Sequence, residues 1–136
     1  GSEPRPLPRL GTRHAHDPLH SGNNLCAMQI IIDLDGTICR EMRQFSRCLA
    51  EPMPGAIDTV NALYDAGHTI IIYSARTWVE YEMTVDWLQR HGVRYHQLFM
   101  GKPVGDLWID DRAITAGDNW ADIRRRLLPD TNSTVK

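Results

Sequence analysis

Met28-Gln29-Ile30-Ile31-Ile32-Asp33-Leu34-Asp35-Gly36-Thr37 is the stretch that decides the fold. Its apolar residues run on without polar alternation and then stop at acids and a glycine, which is the pattern of a parallel strand covered on both faces. Side chains in a strand alternate with period two, so Asp33 and Asp35 point the same way while Leu34 stays in the core. Two like charges on one rim raise each other's pKa and resist burial, so the pair calls for a cation or one protonated member. A hard divalent ion such as Mg²⁺, which takes oxygen ligands, meets that need. Gly36 lets the chain turn sharply and keeps the approach open.

Outward from this strand the pattern alternates. After Pro54-Gly55, Ile57, Val60, Leu63 and Tyr64 recur at helical spacing, with Gly67 placed to end the helix. His68 to Tyr73 reads as a second strand. Val79, Met83, Trp87 and Leu88 mark an amphipathic helix that His91-Gly92 closes. Val93 to Phe99 supplies a third strand, Leu107-Trp108-Ile109 a fourth, and Trp120, Ile123 and Leu127 a last helix. Arg124, Arg125 and Arg126 on its far face complement the helix dipole more simply than they form a phosphate-binding stripe. Strands alternating with helices predict a mostly parallel sheet with helices on both faces, a three-layer Rossmann-like α/β fold. In such sheets ligands sit beyond the carboxyl ends of the strands, so the site residues should follow the strands.

The composition narrows the choice. The chain has 136 residues, 42% apolar and 24% charged, with 15 Lys+Arg against 17 Asp+Glu for a net charge of -2. That suffices for one core and not for two, which excludes a two-domain enzyme with a large lid. Near-neutral charge gives no general attraction to phosphate backbones, so nucleic acid is not the expected partner. No run approaches the roughly 18 consecutive apolar residues of a membrane span, and no apolar region follows a basic start, so the expected address is the cytoplasm. Cys26, Cys39 and Cys48 are odd in number and fit no zinc spacing; they read as reduced thiols. Residues 1–27 hold Pro4, Pro6, Pro8 and Pro18, with few apolar side chains to repay ordering, and read as a tail. Gly1-Ser2 reads as a cloning remnant, and His14, His16 and His20 are spaced too loosely for a metal tract. The core is expected over 28–128, followed by a short tail over 129–136.

Each strand end delivers a polar group suited to one task. Asp33 and Asp35 close the first. Ser74 follows the second and offers a hydroxyl, with Arg76 close behind. Lys102 stands between the third and fourth; only it and Lys136 are lysines in a chain that otherwise uses Arg, and an ammonium suits a phosphoryl oxygen. Asp110-Asp111 closes the fourth, and since neighbours in a strand face opposite ways, Asp110 is the one expected to join the first pair. Three carboxylates for a hard metal, and a hydroxyl and an ammonium for an anion, make the joint reading stronger than any one motif.

In this order the residues resemble the haloacid dehalogenase-like (HAD) superfamily of Mg²⁺-dependent phosphatases over about residues 28–128. Asp33-Leu34-Asp35-Gly36-Thr37, Ser74, Lys102 and Asp110-Asp111 match its four motifs, and Gly101-Lys102-Pro103 through Ala113 looks most like small phosphatases of capsular-polysaccharide biosynthesis. The resemblance implies a phosphomonoester hydrolase. Asp33 would be the nucleophile and form an aspartyl-phosphate, and Asp35 the general acid and base. Asp33, the Asp35 carbonyl and Asp110 would hold Mg²⁺, while Ser74, Lys102 and Arg76 would bind the substrate. The stretches from Thr37 to Pro54 and from Arg76 to Lys102 are too short to fold as a cap domain. Residues 40–51 fit a small flap with Arg40, Arg43 and Arg47 available to an anion. An uncapped site needs another way to exclude water, and a second copy of the chain or a bulky substrate would supply it. The expected substrate is a sugar phosphate or similar small metabolite. The alternatives are a nucleotide or polynucleotide end phosphatase and, from another class, a receiver-like or catalytically inactive phosphate-binding module.

Overall fold

The computed structural model describes residues 26–117 and 119–128; the readings of Gly1-Ser2, of His14, His16 and His20 and of the tail over 129–136 lie outside them. The elements run β1 (Gln29–Asp33), a 3₁₀ helix η1 (Gln44–Leu49), α1 (Ala56–Asp65), β2 (Thr69–Tyr73), a 3₁₀ turn η2 (Trp78–Glu80), α2 (Tyr81–Arg90), β3 (Gln97–Phe99) and α3 (Trp120–Leu127). The fold is mixed α/β. Its three strands pair in parallel in the order β1-β2-β3, with Ile30 opposite Ile70 and Asp33 opposite Tyr73, then Tyr73 opposite Phe99. All three therefore deliver their carboxyl ends to one rim.

Apolar periodicity explains why these elements pack together. Ile32, Ile70 and Ile72 from the sheet meet Val60 and Leu63 of α1, Trp87 and Leu88 of α2, and Trp120 and Ile123 of α3 in one core. Gly67 and Gly92 follow their helices with φ of 100° and 71°, the left-handed geometry that ends a helix without a Cβ penalty. The imidazoles of His68 and His96 accept the Met28 and Ile70 backbone N–H groups at 3.0 Å each, pinning the entry of the first two strands.

Two expectations need correction. The third strand is shorter than Val93 to Phe99, because the Arg94 N–H is taken by the Asn61 side chain and only Gln97–Phe99 pairs with β2. The predicted fourth strand does not form: Leu107, Trp108 and Ile109 belong to an irregular segment and are 77%, 56% and 91% exposed. An apolar triplet has too few residues for periodicity to separate a strand from a loop, and it gains nothing from strand propensity without a paired neighbour. Among the described residues the outer edge of β1 is accordingly unpaired, and Ile31 on it is 63% exposed.

Candidate active site

The rim beyond the strands holds the chemistry. Leu34 is fully buried, and its carbonyl accepts the N–H groups of Thr37, Ile38 and Cys39, so the chain turns tightly after β1. Gly36 takes φ of 85° within that turn. The Trp120 indole of α3 donates to the Thr37 carbonyl at 2.8 Å and braces the turn from outside. Asp33 and Asp35 flank Leu34 and both open into one cleft of about 450 Å³, as period two requires.

Each acid meets its own cation. Lys102 Nζ donates to Asp33 Oδ1 at 3.0 Å across 69 residues of sequence, and the Thr37 hydroxyl donates to Asp33 Oδ2 at 3.1 Å. The Arg76 guanidinium grips Asp35 with two parallel bonds, Nε to Oδ2 and Nη2 to Oδ1, both 2.8 Å. Its Nη1 is held by the Thr84 hydroxyl of α2 at 2.8 Å. Burial alone would lower the Arg76 pKa, but the hydrogen bonds and charge of Asp35 outweigh it and raise the value, so the guanidinium stays charged although it is 1% exposed. Cys39 points its thiol at Asp35 Oδ1, 3.6 Å away. Burial, helped by the Asp35 charge, pushes that thiol up to about 12, which keeps it protonated and unsuited to nucleophilic work.

Backbone pairing brings Lys102 here. The Gly101 and Lys102 N–H groups donate to the Arg76 and Ser74 carbonyls, each at 2.9 Å, so the two loops are stitched side by side. Ser74 is fully buried, and its hydroxyl accepts the Arg76 N–H at 3.0 Å, leaving its own proton for another acceptor. The ammonium also lies 5.2 Å from the Trp108 ring centre and 5.7 Å from that of Tyr73.

Of the residues singled out from sequence, Asp33, Asp35, Arg76 and Lys102 line one cleft, with Ser74 beneath it. Arg76 is committed to Asp35 more than it is open to a substrate. Asp110 lies in the exposed segment after Lys102, where its carboxylate accepts the Arg112 N–H at 2.6 Å. Among the described residues no three His, Cys, Asp or Glu side chains stand close enough together to hold a metal. The chemistry of the cleft nonetheless suits a hard cation. Asp33, Asp35 and Glu41 oppose Arg47, Arg76 and Lys102 along its walls, so the lining charges cancel before any phosphate enters. A phosphate dianion would stand uncompensated there, and the side chain of Asp33, still 33% exposed, offers oxygen to a divalent ion.

Sequence reasoning included Thr37 in the first motif without its bond to Asp33, and missed Glu80, Thr84, the place of Cys39 beside Asp35 and the particular use of Arg47. Thr84 left a trace, as a polar residue on the buried side of an amphipathic helix. A larger depression of about 560 Å³ lies between α1 and α3, lined by Pro54, Gly55, Asp58, Thr59, Ala121 and Arg124, but it gathers no comparable set of reactive groups.

No family model matches the chain, and no curated protein does. Solved structures do. A structural-genomics target from Vibrio cholerae is 24% identical with a TM-score of 0.60 over 76% of this chain and 91% of its own. A conserved protein from Bacteroides thetaiotaomicron is 26% identical with a TM-score of 0.56, covering 75% of this chain and 90% of that one. A chain of a Pnkp1/Rnl/Hen1 complex is 23% identical with a TM-score of 0.50 over 61% of this chain and 30% of its own. The parallel α/β fold is thus one that this chain shares with known structures.

Proposed function

We propose that this chain is a capless Mg²⁺-dependent phosphomonoester hydrolase of the HAD type, with the three-layer Rossmann-like core of that superfamily, acting on a sugar phosphate or similar small metabolite. The observation that carries the reading is the pairing of Asp33 with Lys102 and of Asp35 with Arg76 in one cleft, from residues 69 and 41 positions apart. A structural charge cluster would have no need to gather both acids on one rim beside a buried hydroxyl.

In this reading Asp33, the more open carboxylate, attacks phosphorus; an aspartyl-phosphate forms as the ester oxygen leaves, and water then releases phosphate. Lys102 neutralises Asp33 at rest and turns its ammonium to the phosphoryl oxygens as charge moves onto them. Arg76 fixes the Asp35 carboxylate in one orientation. Asp35 Oδ2 accepts one bond from Arg76; in this reading the carboxyl, protonated when the substrate enters, gives its proton to the departing ester oxygen and takes one back from the attacking water. Mg²⁺, held by Asp33 and the Asp35 carbonyl, would offset the charge of the phosphate when bound; Asp110, the third ligand that the resemblance implies, is not among the residues that line the cleft. A second copy of the chain or a bulky substrate would close the uncapped site.

A second reading, a nucleotide or polynucleotide end phosphatase, has one observation in its favour: Trp108 lines the cleft while 56% exposed, a ring on which a base can stack. A phosphate-release screen over sugar phosphates, nucleotides and 3′-phosphorylated oligonucleotides, with Mg²⁺ and with chelator, tests both. Release from one class, lost with chelator and in Asp33→Asn, is expected. Equal release by Asp33→Asn would remove the nucleophile assignment, and no release from any class would remove the hydrolase.

A further inference from the structure

Arg47 is the cation of the cleft with the most unused capacity. It lies on η1, in the flap between the β1 turn and α1, and lines the cleft with Asp33, Asp35 and Lys102. Arg40 and Arg43 from the same flap are exposed and are not among the lining residues. Only one corner of the Arg47 guanidinium is engaged: Nη1 donates to both carboxylate oxygens of Glu80, at 2.9 and 2.7 Å. Among the described residues Nη2 makes no hydrogen bond, and Nε is buried with no acceptor at all. Folded chains rarely leave a buried N–H in that condition.

Arg76 shows what the unused edge is for. There the Nε–Nη2 edge takes both oxygens of Asp35, the parallel geometry in which guanidinium binds carboxylate or phosphate. In Arg47 the same edge has no partner among the described residues, its Nε lying buried at the wall of the cleft that the residue lines.

We propose that Arg47 is a substrate-binding residue whose Nε–Nη2 edge takes two oxygens of the phosphoryl group, and that Glu80 is its positioning residue. The nature of the anion rests on the phosphomonoester reading. Glu80 is 6% exposed and is itself fixed, because its Oε1 accepts the Thr77 N–H at 3.2 Å in a reciprocal capping box. Thr77 directly follows Arg76, so the wall that orients Asp35 also aims Arg47. A bound phosphate would then tie the flap to that wall. A mere strap between η1 and η2 would need the Nη1 contact and nothing more, and would not require Arg47 to line the cleft.

Calorimetric titration of the full chain with inorganic phosphate in the presence of Mg²⁺ tests this, with unfolding temperature measured beside it. Arg47→Met should weaken phosphate about ten- to a hundredfold, the worth of charge-assisted hydrogen bonds. Arg47→Lys should recover part of the loss, since it restores the charge and not the fork. Because Arg47→Met leaves Glu80 unpaired and can destabilise the chain, the deciding variant is Arg47→Met with Glu80→Gln, which keeps an acceptor for Thr77. It should unfold near the wild-type temperature and still bind phosphate as weakly as Arg47→Met alone. Glu80→Gln by itself should weaken phosphate with little change in unfolding temperature. Wild-type affinity in Arg47→Met, or recovery of affinity in the double variant, would overturn the proposal while leaving hydrolysis by the wild type intact. Arg47-dependent phosphate binding by a chain that hydrolyses no ester would sustain it and remove the hydrolase instead. Absence of phosphate binding by the wild type would overturn the proposal, while release of phosphate from an ester would still sustain the hydrolase.

Discussion

Arg76 and Asp35 form the most buried ion pair of the rim, with side chains 0% and 14% exposed. Two charges held this far from water depend on each other, and removing one leaves the other uncompensated. Arg76→Met should therefore lower stability by about 3–5 kcal/mol, and Asp35→Asn in the same chain should return part of it. Urea unfolding of the two single variants and the double variant measures this; additive losses would mean that the pair is not coupled. At this scale the alternation of Asp33, Leu34 and Asp35 was legible, because period two fixes which side chains share a face. The use of Arg76 was not. A cation after a strand reads equally as a substrate ligand or a partner for an acid, and Thr84, which helps to decide between them, arrives from the other end of a 3₁₀ turn and half a helix.

His68 sets the pH response of the strand entries. It is 3% exposed, and its Nδ1 accepts the Met28 N–H, so protonation would turn an acceptor into a donor facing a donor. Burial lowers its folded pKa below the ordinary 6.5. The unfolded chain then binds the proton more readily, so this contribution to stability is full above 6.5, is lost as pH falls below it, and levels off once the folded state also protonates. His91 is lowered in the same direction, by burial and by Arg90. Unfolding midpoints followed from neutral to mildly acidic pH should fall, and His68→Gln, which keeps an acceptor for Met28, should reduce the slope without abolishing it. An unchanged slope would mean that His68 does not titrate differently on folding. Among the elements, β1, α1 and α2 were legible because each carries a long periodic or continuous apolar signal closed by a glycine, and β2 because its apolar run is continuous between Gly67 and Ser74. Leu107-Trp108-Ile109 carries neither length nor closure, and the segment stands exposed.

Among the described residues one core joins the sheet to all three α-helices. Trp87 is completely buried and donates its indole N–H to the Ala50 carbonyl at 2.9 Å, joining α2 to the end of the flap. Trp87→Ala should cost about 3–5 kcal/mol from lost burial and the cavity left behind. Denaturant unfolding checks it, and a loss under about 1 kcal/mol would show that the flap and α2 do not share this core. Among the described residues no helix is long and apolar enough to cross a membrane. The parallel order of the sheet followed from strands alternating with helices, since parallel neighbours need crossover connections. The convergence of Lys102 on the rim of Asp33 followed from its place after the third strand, but its direct ion pair with Asp33 did not, because that depends on two loops pairing through Ser74 and Arg76. That convergence makes residue 33 the proposed acceptor of the phosphoryl group. The most direct measurement is acid quenching during turnover, reduction of any acyl-phosphate with labelled borohydride, and mass mapping of the peptides. The account predicts label at position 33 in the wild type and none in Asp33→Asn; turnover with label at another residue, or with none, would contradict it.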